Sequence, residues 1–124
     1  TICIYKRKDI IDYKFDETFG QYSYLEDLDF SLNLKKKNKK IFLSSKSIFK
    51  HPKNIDRSNF NFGVVEIINR YKIVKKHKFS KILFFITIIM RFLISFVKSL
   101  AFDKKYFLRC LGNVYSLFIL NKKN

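Results

Sequence analysis

An apolar run at residues 82–97, interrupted only by Thr87, Arg91 and Ser95, constrains this chain more than any other feature. So much apolar surface must be covered by protein or by lipid. Wound as a helix, the run is about 24 Å long, short of the roughly 30 Å of bilayer hydrocarbon. Thr87, Arg91, Ser95 and Lys98 recur at i, i+4, i+8 and i+11, which draws one narrow polar stripe along the helix. A lone cation at the centre of a span costs about 2.5–3.5 kcal/mol on insertion scales. The pattern therefore predicts an amphipathic helix lying in the membrane plane, in preference to a span. The competing fit is a helix buried against the rest of the chain, its stripe turned to polar groups. Residues 106–120 repeat the helical pattern with Tyr106, Phe107, Leu108, Leu111, Val114, Tyr115, Phe118 and Ile119, and predict a second such helix.

Charge separates the chain into two parts. Its 124 residues carry 26 Lys and Arg against 10 acids. Seven of the acids precede residue 31, facing only Lys6, Arg7, Lys8 and Lys14. Beyond that point stand only Asp56, Glu66 and Asp103 against the remaining bases, six of which fall at positions 70–81. Part of this excess reflects the Lys- and Asn-rich usage of an A+T-rich coding sequence. The remainder predicts a polyanionic partner for the second part, nucleic acid or an anionic membrane surface. Cys3 and Cys110 stand far apart with no CxxC spacing, and no secretory signal is visible; both suit the cytoplasmic side of a membrane.

Before the apolar run the pattern alternates between strand-like and helix-like segments, and the expected fold class is α/β. Thr1-Ile2-Cys3-Ile4-Tyr5, Ile41-Phe42-Leu43 and Ser47-Ile48-Phe49 are β-prone runs, the last closed by His51-Pro52. Asp9 is placed to cap a short turn through Asp12, and Gly20 marks a second turn. Leu25, Leu28 and Leu32 predict the apolar face of a helix from Glu26 to about Lys37, with Asn38 as a left-handed terminator. Residues 52–63 read as a polar loop over the site. Val64, Ile67, Ile68, Tyr71 and Val74 predict a further helix over 64–76.

At the start of the first helix stand three carboxylates in four positions, Glu26, Asp27 and Asp29. Clustered carboxylates repel unless a cation, a proton or a helix N-terminus compensates. Helix-dipole matching alone accounts for such a cluster at about 0.3–1 kcal/mol per acid. The alternative is that one carboxylate is a general base, held beside a metal or a substrate hydroxyl.

The surroundings of that cluster resemble the C-terminal half of the catalytic domain of family 2 glycosyltransferases. The matching residues run in order: Phe15-Asp16-Glu17, then Glu26-Asp27-Leu28-Asp29-Phe30-Ser31-Leu32, the strand-like Ile41-Phe42-Leu43, His51, Asn69-Arg70-Tyr71, and Lys75-Lys76-His77. The likeness covers residues 1–78 well and the remainder loosely. It departs from the family pattern at Ser45, Ser47 and Asn33, where proline, alanine and arginine are usual. The resemblance implies a GT-A-type α/β fold for residues 1–78, the acceptor and base side of the domain, with residues 79–124 as a membrane-surface helical tail.

It also implies an inverting transfer of sugar from a nucleotide-diphosphate donor to a hydroxyl of a glycan or lipid-linked acceptor, in cell-surface polysaccharide synthesis. Asp27 then corresponds to the base, with Glu26 orienting the acceptor or the helix start. Arg7 and Asp29 border the acceptor, and His51 is a ligand to a divalent metal, Mg²⁺ or Mn²⁺. The donor-binding half of such an enzyme lies upstream, so these 124 residues alone are expected to be inactive. Two other classes fit parts of the sequence. A nucleic-acid-binding module would use the bases and aromatics, but no nucleic-acid signature is present and residues 82–97 are too apolar for a solvated groove. A membrane-surface interaction module without enzymatic activity explains the tail and leaves the acidic cluster unexplained.

Overall fold

The computed structural model describes residues 10–20, 24–40, 42, 57–101 and 103–122. It divides the chain into two compact units, 1–55 and 56–124. In the first, a 3-10 turn at Glu17–Phe19 precedes helix α1, Glu26–Lys36. The second holds α2 (Phe60–Lys76), α3 (Lys81–Ala101) and α4 (Lys105–Lys122).

Among the described residues there is no strand, and the architecture is all-helical. This overturns the α/β, GT-A-type expectation. The expected strands at 1–5 and 47–49 lie outside the described residues, as do Ile41 and Leu43. Phe42 is in irregular backbone and 83% exposed. The physical reason is that an apolar run of three residues has no periodicity of its own. It becomes a strand only where a neighbouring ladder takes up its backbone N–H and C=O groups.

The local stop signals act as their chemistry requires. Gly20 has φ +73° and ends the 3-10 turn, whose first residues are capped by Asp16 accepting from the Thr18 N–H at 3.0 Å. Asn38, at φ 57°, terminates α1. Asn59 caps α2 by accepting from the Phe62 N–H at 2.8 Å. Its helix thus begins four residues before the expected start, inside the expected loop. Ser80 accepts from the Leu83 N–H at the start of α3, and Asp103 from the Lys105 N–H at the start of α4.

In the second unit α2 packs on α4, and α3 packs on both. The crossing of α2 and α4 is set by two glycines. A Cβ on Gly63 would lie 2.4 Å from the Arg109 carbonyl oxygen, and one on Gly112 would lie 2.2 Å from that of Phe60. The helices therefore meet backbone to backbone, as small residues allow in membrane bundles. Ile67, Phe84 and Ile88 form the small apolar core, flanked by Tyr71, Val74, Leu117 and Leu120.

The rest of the interior is mixed: Phe62, Ile73 and Cys110 are buried, and so are the polar Glu66, Asn69, Ser95, Asn113 and Ser116. The outside carries much apolar surface. Ile82, Phe85, Ile86, Ile89, Leu93, Val97 and Leu100 of α3 are exposed, and at 100° per residue they share one half of the helix with no polar residue among them. On α4, Phe107, Leu111, Val114 and Phe118 form a second exposed apolar face.

Candidate functional site

Two carboxylate sites stand out, one exposed and one buried. The first is the start of α1, where Glu26, Asp27 and Asp29 occupy the first turn at the positive end of the helix dipole. The helix is entered through Leu25, which has φ 73° and offers no side-chain cap. A left-handed conformation at a bulky residue is strained, and such strain recurs where a backbone aims functional groups. Asp27 is exposed, and its Oδ1 accepts from the Leu28 N–H at 2.8 Å. Glu26 is half-buried beside it.

Asp29 behaves differently. It is 1% exposed and accepts from the Asn33 Nδ2 at 3.2 Å. The residue that departs from the family pattern, Asn33, thus supplies the acid with a donor of its own. The buried face of α1 is Asp29, Phe30 and Leu34, with Phe30 stacked on Phe15 at 4.4 Å. Leu28, expected inside, is 43% exposed. The helix is rotated relative to the leucine pattern because Phe30 is the larger apolar group and takes the interior. Of the remaining expected site residues, Arg7 and His51 lie outside the described residues. The divalent metal rests on His51, and among the described residues no three His, Cys, Asp or Glu side chains converge on one point.

The second site was not singled out from the sequence. Glu66 of α2 is fully buried and accepts from Arg91 of α3 through Oε1. Its Oε2 accepts from the Nε and Nη2 of Arg109 on α4, at 3.2 and 2.7 Å. Arg70, one turn along α2, brings its Nη2 to 3.9 Å from Oε1. One carboxylate thus ties all three helices together. A buried carboxylate offsets its desolvation only where its oxygens are hydrogen-bonded, and here Oε1 is met by Arg91 and Oε2 by two N–H groups of Arg109. Arg109 also lies over the Phe62 ring at 5.1 Å, with Arg57 over the same ring at 5.8 Å.

A signal for Glu66 was present: it is a lone acid in a strongly basic stretch, set between Val65 and Ile67. Its partners lie 25 and 43 residues away, beyond any local pattern. Beside Arg109, burial pushes the Cys110 thiol up from its ordinary value, and the Arg109 charge partly offsets that.

The α3 stripe finds two uses. Arg91 turns inward to Glu66 and Ser95 is buried, while Thr87 and Lys98 of the same stripe are exposed. The helix is also longer than its apolar run: 21 residues, long and apolar enough to cross a membrane. Lys81 and residues 98–101 belong to it although they are not in the run. No family model, no curated protein and no solved structure matches this chain.

Proposed function

We propose that this chain is the membrane-seated, acceptor-side part of an inverting glycosyltransferase, with its second unit lying in the plane of an anionic cytoplasmic leaflet. The observation that carries the membrane reading is the apolar surface of that unit. Polar Glu66, Asn69, Asn113 and Ser116 share the interior with Phe62, Ile67, Ile73, Phe84 and Ile88, while the outer half of α3 is exposed hydrocarbon. An aqueous protein does not present such a face, because contiguous apolar patches beyond a few hundred Å² drive association.

Charge placement favours the in-plane orientation. Lys75, Lys76, Lys78 and Lys81 sit at one end of α3, and Lys98, Lys104 and Lys105 at the other. A span would carry one of these clusters across the hydrocarbon, whereas a helix in the plane keeps both at headgroup level.

The enzymatic part rests on the ordered motif of residues 15–77 and on the exposure of Asp27. In such a reaction an acceptor hydroxyl attacks the anomeric carbon, and its proton must leave as the bond forms. A carboxylate on a rigid helix start takes that proton. The buried and bonded Asp29 is unsuited to the role and instead holds the turn.

In the protein that carries this chain, assayed in its native membranes, Asp27→Asn should lower sugar transfer by about 10²–10⁴ while donor binding persists. The amide keeps the shape but cannot accept a proton. Transfer within threefold of wild type would remove Asp27 as the base. Full membrane binding with no transfer from any nucleotide sugar would leave the non-enzymatic membrane module.

A further inference from the structure

The stripe of α3 and Arg109 of α4 bound a cleft of about 340 Å³, the size of a small-molecule site. Arg91, Lys98 and Arg109 line it, with the hydroxyl residues Thr87 and Ser95, and no acid does. Arg91 and Arg109 engage both oxygens of Glu66, and Arg70 stands 3.9 Å from one of them. The cations around this carboxylate and the cleft outnumber it, which leaves an excess of positive charge. A guanidinium has five N–H donors. Arg91 gives one to Glu66 and Arg109 gives two, so Glu66 fixes both groups in place without exhausting them. Lys98 is held over the Tyr106 ring at 5.5 Å. The cleft also has an apolar border, Met90 and Ile94, both about half exposed and continuous with the outer face of α3.

A compact anion attached to hydrocarbon matches all of these. We propose that the cleft binds the phosphate of a membrane amphiphile, a phosphomonoester or diphosphate on a hydrocarbon chain. Its oxygens meet Arg91, Lys98 and Arg109, and its chain leaves past Met90 and Ile94 into the leaflet. Arginine forks suit phosphate oxygens, and a dianion offsets more of the excess charge than a phosphodiester does. The inference rests on the in-plane membrane reading and sharpens it, naming the lipid class that the unit prefers.

The test is binding of the full chain to phosphatidylcholine vesicles doped with either phosphatidic acid or phosphatidylglycerol, at matched surface charge. A merely electrostatic surface binds both alike. The cleft predicts a preference for phosphatidic acid of about tenfold, the worth of one charge-assisted hydrogen bond. Lys98→Gln should reduce that preference to less than twofold, and Lys98→Arg should restore it. Lys37→Gln, an equal loss of charge in the first unit, should leave it unchanged. Equal affinity of the wild type for the two lipids, or a preference that survives Lys98→Gln, overturns the proposal. Should no vesicle bind, the membrane reading fails, and calorimetry with inorganic pyrophosphate decides the cleft. Heat that Lys98→Gln abolishes assigns it to a free phosphate compound, and absence of heat removes the site.

Discussion

Asp27 and Glu66 are carboxylates on helices of one chain, and they stand in opposite situations. Asp27 sits in a first turn, exposed, with one oxygen bonded to the next residue's N–H. Glu66 has no exposure, and both its oxygens are taken by arginines from other helices. The difference separates an acid open to solvent from one whose oxygens are committed to the fold. Acidity of residue type is common to both; the partners decide what each can do.

The contrast is broken most severely at Glu66. Glu66→Ala leaves Arg91 and Arg109 without their counter-charge, and such losses cost about 3–5 kcal/mol. Asp27→Ala should cost less than about 1 kcal/mol, the worth of an acid at a helix start. Chemical unfolding in mild detergent compares the two. Equal losses would mean that Glu66 does not tie the helices.

A smaller effect is expected at the glycine crossing. Gly112→Ala forces α2 and α4 apart, because the added methyl meets backbone 2.2 Å away rather than a side chain that can turn. Overpacking of this kind costs about 1–3 kcal/mol. Gly20→Ala, where no atom lies within 4 Å, is strained only by its φ of +73°. Comparing the two unfolding midpoints separates close approach from backbone conformation.

How much of this was legible depended on whether the determining partner was near in sequence. Gly20 and Asn38 are local, and their left-handed conformations follow from residue type. Helices over 26–37, 64–76, 82–97 and 106–120 were visible in the apolar period, although the second begins at Phe60 and α3 was read as too short. Its charged ends were counted out of the apolar run, while in the helix they simply extend it.

The facing of α1 was not legible. Leu25, Leu28 and Leu32 satisfy the period, but the burial of Phe30 and Asp29 depends on neighbours such as Phe15 and Asn33. The β reading failed because short apolar runs do not encode a ladder. Arg91 was recognised as an obstacle inside an apolar run. Its resolution by Glu66 needed the three helices to be assembled.

The smallest expected effect is at Cys110, next to Arg109. Because burial raises its pKa, the folded state holds the thiol proton more tightly than the unfolded chain does. Its contribution to stability is complete below the ordinary thiol value of 9.0 and fades as pH rises through the higher folded value. Alkylation should therefore be slow in the folded protein even at pH 9 and become fast on unfolding. Rapid native labelling at neutral pH would show that the α3–α4 contact opens, where the thiol meets the Phe92 carbonyl oxygen.

The central claim is that the outer half of α3 lies in lipid along its whole length, and depth measurement tests it most directly. Environment-sensitive probes attached singly at positions 82, 89 and 100 would be quenched by lipids brominated at known acyl depths. An in-plane helix places all three at one shallow depth, about 5–10 Å into the headgroup and acyl boundary. Position 89 near the bilayer centre, with 82 and 100 at opposite interfaces, would establish a span. Absence of quenching at all three would contradict membrane seating altogether.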